Sequence, residues 1–224
     1  MFKKIFLPLI AVACFAPLTY ADVSGSVGVD SDYFWRGVSQ NNGDPANSFN
    51  LEYQGDGFYV GTWASDVNFA GDKDHEFDFY AGYALAVTDA VSIDVGLIHY
   101  TYDTLKDDLD ELYLNVGINN FSLAHYRDID NGGRAFTQVG YTLPFISQLD
   151  VEVFYALHSE DNKAFLGLAD DDYFGINLSK DLGDFTIKAM IMDDARHGDF
   201  WDMASIGLHS VSYTHLTLPT ILLV

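Results

Sequence analysis

The sequence predicts an all-β protein, an antiparallel transmembrane β-barrel of about twelve strands. Three observations carry that prediction. Apolar and polar residues alternate by twos along most of the chain, short turns alternate with longer acidic connections, and residues 1–21 have the layout of an export leader.

The leader comes first. Lys3 and Lys4 form a positive start, Ile5 to Phe15 an apolar stretch, and Thr19-Tyr20-Ala21 a small-residue cleavage site. That is the arrangement of a secretory signal peptide. The apolar stretch is interrupted by Pro8 and Pro17 and falls short of the roughly 20 residues that a membrane-spanning helix needs. Its removal also removes the single cysteine, Cys14, so the exported domain is held by burial or sheet closure rather than by disulfides.

The strands follow in order, near 23–39, 47–54, 58–68, 76–87, 91–102, 110–118, 121–128, 134–142, 149–158, 172–179, 185–193 and 202–212. Three show the pattern best. Val91, Ile93, Val95 and Leu97 alternate with Ser92, Asp94 and Gly96, while Leu112, Leu114, Val116 and Ile118 oppose Tyr113, Asn115 and Gly117. Val151, Val153, Tyr155 and Leu157 likewise oppose Asp150, Glu152, Phe154 and Ala156. Period two marks a strand with one apolar and one polar face. No run has a competing helical period.

The connections refine the architecture. Gly55 to Gly57, Thr88 to Ala90, Asn119-Asn120, Pro144 to Gln148 and Lys180 to Asp184 are short. Between them lie longer stretches, Asn41 to Ala46, Ala70 to His75, Asp103 to Leu109, Ile129 to Gly133, Glu160 to Asp171 and Asp194 to Trp201. An even strand number, with tight turns at one end and long loops at the other, describes an outer-membrane barrel. A β-sandwich also alternates, but nothing in it sorts loops by length. Gly28, Gly82, Gly96, Gly117, Gly140, Gly175 and Gly207 share the polar parity, which predicts close approach or tight coiling inside a small barrel. Tyr33, Trp35, Tyr53, Phe77, Phe79, Tyr100, Tyr102 and Phe185 stand near strand ends and are expected as interfacial girdles.

With the apolar faces turned to lipid, Asp30, Asp32, Arg36, Glu52, Asp78, Asp94, Glu111, Asp150, Glu152 and Lys188 face the lumen, with Asn50, Asn115, Gln138 and Asn177 among them. Acids outnumber bases, and rings of carboxylates favour cations in pores. The expected function is passive diffusion of small solutes or ions with a modest cation preference. Arg36 and Lys188 are expected to pair neighbouring carboxylates. A lumen closed by such pairs, and narrowed by Phe34, Tyr113, Phe136 and Phe154, is the alternative, a structural barrel that does not conduct. Twelve strands lie between filled eight-stranded barrels and open sixteen-stranded ones.

The whole chain carries a net charge of −22, which argues against nucleic acid as a partner because its phosphates are repelled. Outer-membrane lipid and lipopolysaccharide are the expected surroundings. An outer-membrane barrel enzyme, phospholipase-like, is a second alternative, with His99, His125, His158 and Ser159 near the loop-rich rim. A serine nucleophile needs a base in hydrogen-bond reach, and no G-x-S-x-G elbow occurs. No phosphate loop, metal-ligand cluster or cofactor motif is found, so no enzyme, metal or cofactor is expected.

Two segments carry resemblances. Ser31-Asp32-Tyr33-Phe34-Trp35-Arg36-Gly37-Val38-Ser39-Gln40, followed by Asp44-Pro45-Ala46, and Gly57 to Val67 resemble the opening of the TorF-type porins, a proteobacterial outer-membrane family described as conserved and hypothetical. The likeness is sharpest over residues 27–68, and strand spacing supports it to about residue 208. It implies a barrel and a pore in a Gram-negative outer membrane, and brings no substrate residues. Val211 to Thr220 instead resembles the conceptual translation of a transposon-derived sequencing adapter. Pro219 removes a ladder donor and Ile221 to Val224 has no polar alternate face. The expected division is therefore a signal peptide over 1–21, the barrel over 22–210 and a non-native tail over 211–224.

Overall fold

A computed structural model of the protein describes residues 21–216, except 70, 105–107, 131, 146–148, 171 and 196–198. The expected signal peptide, apart from Ala21, and residues 217–224 of the expected tail lie outside the described residues.

Twelve antiparallel strands close into a barrel. In chain order they are β1 (Ala21–Asp30), β4 (Ala46–Gly55), β5 (Phe58–Phe69), β6 (Asp72–Thr88), β7 (Val91–Tyr102), β8 (Leu109–Ile118), β9 (Phe121–Asp128), β10 (Ala135–Thr142), β11 (Asp150–His158), β12 (Asp172–Asp181), β13 (Phe185–Asp194) and β14 (Asp199–Leu216). Between β1 and β4 a separate small hairpin, β2 (Phe34–Trp35) and β3 (Val38–Ser39), forms a two-stranded sheet of its own. Each barrel strand pairs with its chain neighbours, and β1 pairs with both β4 and β14, so no edge is left with unpaired backbone groups.

The alternation read from sequence sorts the side chains. On β1, Val27 and Val29 are exposed, as are Leu112 and Leu114 of β8 and Ile206 and Leu208 of β14. Their odd or even partners point inward. Ile206 is 61% exposed and Val27 58%. A soluble monomer does not carry so continuous an apolar wall, whereas the hydrocarbon of a bilayer matches it. The tight turns are built as expected: between β4 and β5, Asp56 and Gly57 both have positive φ, 51° and 84°, the pair of angles of a two-residue type I′ turn.

The inward glycines have a specific use. The Tyr59 ring of β5 lies over Gly82 of β6, Tyr113 of β8 over Gly96 of β7, and Phe154 of β11 over Gly175 of β12. A Cβ at any of these positions would occupy the ring's place. The glycines thus let large rings lie flat along the wall.

Four elements depart from expectation. β6 begins at Asp72, within the stretch Ala70 to His75 expected as a longer connection. The first strand ends at Asp30 rather than near 39, because residues 31–45 turn into the barrel. The connection 160–171 contains a helix, α1 (Glu160–Leu166), with Ser159 as N-cap accepting from Asn162, Glu160 and Asp161 in the first turn, and Gly167 closing it at φ 67°. Each of those features favours a helix end, but seven residues are too few to display a period. Finally, β14 runs to Leu216, and residues 211–216 continue the ladder with β1 from Ser26↔Val211 to Ala21↔Leu216.

Candidate functional site

The segment that carries the family resemblance is the segment that folds inward. At the tip of the β2–β3 hairpin, Arg36 and Gly37 both have positive φ, 52° and 79°. This is again the type I′ pair, but an arginine there is unusual. A strained residue persists only when its surroundings hold it, and Arg36 is held on every side. Its Nη1 donates to Glu111 Oε1 at 2.7 Å and its Nη2 to Oε2 at 2.6 Å, a bidentate pair in which both side chains are buried. Its guanidinium lies 4.4 Å from the Trp35 ring centroid, 4.6 Å from Tyr126 and 4.8 Å from Phe136. Its carbonyl accepts from His158 Nε2 at 3.1 Å, and Asn162 of α1 meets the other ring nitrogen at 2.8 Å.

The rest of the segment is seated as firmly. Gly37 has no room for a Cβ against Ala195 and the Tyr173 ring. Val38 is buried in an apolar cluster with Phe136, Phe154, Tyr173, Met192 and Met203. Tyr33 donates to Glu76 Oε1 at 3.2 Å, and its ring packs against Trp63 with centroids 5.1 Å apart. Ser39 donates to Asp32 Oδ1 at 2.9 Å. Burial lifts the Asp32 carboxyl above its ordinary range, against the lowering effect of that hydrogen bond. Starting from β1, the segment therefore touches β5, β6, β8, β9, β10, β11 and β12. In the strand order these reach the opposite wall, so the hairpin crosses the lumen at the end of the barrel that bears the long loops.

Beyond the hairpin, toward the short-turn end of the barrel, polar side chains line the wall. Tyr59 donates to Asp94 Oδ1 at 2.5 Å and also contacts the Tyr113 hydroxyl; Asn115 donates to Asp94 Oδ2 at 3.0 Å. Tyr80 donates to Glu52 at 3.0 Å, while Ser122 and Asn177 each donate to Glu152 at 2.9 Å. His209 meets Asp30 Oδ1 at 3.0 Å. Cavities lie beside these groups. One of about 440 Å³ is bordered by Asp30, Asp32, Lys188, Ser205 and His209, the other of about 470 Å³ by Asp78, Tyr80, Tyr100, Tyr126 and Gln138. Tyr33 and Trp63 border both.

Asp30, Glu52, Asp78, Asp94, Glu111, Glu152 and Lys188 thus stand on inward positions of barrel strands. Asp32 and Arg36 reach the lumen from the hairpin segment instead of a wall strand. Asp150 opens β11 and is exposed. The expected pairing of Arg36 is present, with a partner on β8. Lys188 has no ion pair with any described carboxylate. Glu76, on Asp78's parity two residues earlier, belongs to the same group; its alternation signalled it, but it lay at the edge of the expected strand. The girdle expectation is corrected for Tyr33, Trp35 and Tyr100, which pack inside against Trp63, Arg36 and Glu111. Phe79 and Phe185 are exposed.

The rim histidines have separate engagements. His99 pairs with Asp110 Oδ1 at 2.7 Å and His125 with Thr137 at 2.9 Å. His158 supports the hairpin, while the Ser159 hydroxyl donates to the Gly133 carbonyl at 2.6 Å and accepts from the amides of Ala135 and Asn162.

Residues 16–122 match the profile of a family described as bacterial protein of unknown function, Gcw_chp. That stretch includes both segments of the resemblance. No curated protein matches the chain. Among solved structures, the KdgM porin is similar at a TM-score of 0.55 and 10% identity, covering 84% of this chain and 98% of that one. The KdgM porin in complex with disordered oligogalacturonate aligns at a TM-score of 0.53 and 9% identity, covering 86% and 97%. At such identities the likeness establishes the fold, a closed twelve-stranded barrel of the porin type.

Proposed function

We propose that the protein is an outer-membrane porin of the TorF type that passes small solutes with a preference for cations, its outer mouth constricted by the β2–β3 hairpin. The leader supports export, and the exposed apolar wall supports a seat among outer-membrane lipid and lipopolysaccharide. One observation carries the cation preference. Asp30, Asp32, Glu52, Asp78, Asp94 and Glu152 line the lumen, whereas Lys188 is the cation there without a described carboxylate partner. Fields from like charges focus inside a low-dielectric wall, so the lumen concentrates cations and repels anions. A polyanion such as the oligogalacturonate of the KdgM complex finds no cationic track here.

A non-conducting barrel is the second reading, favoured by the hairpin that Arg36 pins across the lumen. The two are separated by recording single-channel current from refolded protein in a planar bilayer under a KCl gradient. Discrete steps with a reversal potential favouring K⁺ are expected. Charge reversal at Glu52, Asp94 or Glu152 should weaken that preference. A folded barrel that never conducts, even with the hairpin removed, would sink the porin reading.

A further inference from the structure

The cavity of about 440 Å³ lies on the β12–β13–β14–β1 side of the lumen. Small-molecule sites span roughly 300–1,000 Å³, so its volume falls among them. One register row crosses that wall: Ser179 pairs with Lys188, Lys188 with Gly207, and Gly207 with Asp30. All four border the cavity. Lys188 and Asp30 therefore stand two strands apart, about 10 Å at their Cα atoms, with only a glycine between them.

That glycine lets opposite charges share one floor. A Cβ at Gly207 would overlap the Asp30 carboxylate, so the carboxylate lies over Gly207, on the Lys188 side of its own strand. The two charges nonetheless form no ion pair, and the accessible Lys188 ammonium has no described carboxylate partner. On Asp30, His209 Nε2 meets Oδ1 at 3.0 Å, and Oδ2 has no described hydrogen-bond partner. A neutral imidazole donating its N–H orients a carboxylate without cancelling its charge. The Asp30 side chain keeps 27% of its surface accessible. Asp32, the other acid at this cavity, is committed to the hairpin through the Ser39 hydroxyl.

A solute that completes both groups brings a carboxylate and an ammonium of its own. A simple anion satisfies Lys188 but faces the acids of the lumen, and a simple cation satisfies Asp30 but faces Lys188. A zwitterion carries no net charge for the acidic lumen to exclude. It also makes a charge-assisted hydrogen bond at each end. Phe34, Trp63 and Met190 border the rest of the cavity and offer apolar surface to the solute's side chain.

We infer that this cavity is a binding site for zwitterionic amino acids, with Lys188 holding the solute carboxylate, Asp30 its ammonium and Trp63 its side chain. The inference rests on the porin reading, a lumen open to small solutes, and names a solute class for it.

The test uses the refolded full-length barrel at mildly alkaline pH, with L-leucine as the probe. Two controls each lack one charge: 4-methylpentanoate is leucine without its ammonium, and isopentylamine is leucine without its carboxylate. Quenching of tryptophan fluorescence and interruption of single-channel current are read on each sample. Leucine should give a saturable signal, and each control one at least tenfold weaker. Lys188→Met should weaken leucine at least tenfold while isopentylamine holds or gains. Asp30→Asn should weaken leucine similarly and spare 4-methylpentanoate, and Trp63→Phe should reduce the quenching amplitude. Retained β-signal and heat-dependent gel migration verify that each variant is folded. Because the Lys188 ammonium has no described partner to lose, Lys188→Met reports on the site even if Asp30→Asn fails to fold.

Equal binding of either control, or unchanged leucine binding in folded Lys188→Met, overturns the site. The second of these is the result expected if Lys188 and Asp30 simply neutralise each other. A barrel that conducts K⁺ yet shows no leucine signal overturns the site while leaving the porin reading intact. A barrel that binds leucine with the expected Lys188 dependence but never conducts supports the site and defeats the porin reading.

Discussion

Arg36 is the residue on which the hairpin's seat depends. A bidentate carboxylate pair, three rings and a histidine hold one side chain whose backbone is in an unfavourable region. Breaking one partner of a buried pair costs about 3–5 kcal/mol when the other charge is left behind. The hairpin has a cheaper response, because leaving the lumen rehydrates Arg36. Glu111→Gln should therefore raise single-channel conductance or open probability several-fold with little change in the barrel's resistance to heat. Unchanged current in a folded variant would show that the hairpin's seat does not depend on this pair. Asp32 gives a pH dependence in the same segment. Its carboxyl is raised in the folded state by burial, so folding favours the protonated form. That contribution is complete below the ordinary carboxylate range and is lost as pH rises through the elevated folded value. The segment 31–45 should become more accessible to protease between acidic and neutral pH, and Asp32→Asn should flatten the change.

At the level of single elements, the inward glycines and the neighbouring rings behave as units. Phe154 fills the space above Gly175, and Tyr113 that above Gly96. A methyl group at either glycine meets a ring that the adjacent strand cannot withdraw without leaving its register. Overpacking of this kind costs about 1–3 kcal/mol. Gly175→Ala is expected to lower the urea midpoint by an amount in that range, with Gly175→Ala/Phe154→Leu recovering part of the loss. An additive double variant would show that the two side chains do not share the space. The shared parity of these glycines is visible in the sequence, but the ring that covers each one belongs to another strand and depends on register.

For the molecule as a whole, the proposed function makes conductance and selectivity separable properties of the hairpin and the wall. On the proposed porin reading, the hairpin limits how much passes and the carboxylates on the wall set which sign of charge passes. Replacing residues 34–39 by a short Gly-Ser linker should increase conductance several-fold while the reversal potential still favours K⁺. Reversal to anion preference would place selectivity in the hairpin, where Arg36 and Asp32 reside, rather than in the wall. Closure is the other global property. Residues 211–216 pair with Ala21–Ser26, so truncation after Ser210 leaves half of β1 without a partner on that side. The truncated chain should lose the heat-stable compact form on gels, because an open edge in the membrane leaves backbone groups unsatisfied.

Alternation by twos and the sorting of loops by length determined the barrel, its twelve strands, most boundaries to within a few residues, and the inward position of Glu52, Asp94, Glu111 and Glu152. These are local properties, since side-chain parity along a strand and the length of a turn are written in consecutive residues. Tertiary structure alone decided that residues 31–45 leave the wall. Ser31 to Gln40 alternates well enough to extend β1, and its Tyr33 and Trp35 look like part of a girdle. What draws it inward is a set of partners between 30 and 158 residues away in the chain, namely Trp63, Glu76, Glu111, Tyr126, Phe136, His158, Tyr173 and Ala195, which only the closed barrel brings together. A buried arginine with its carboxylate and rings is a property of that meeting, and no periodicity records it.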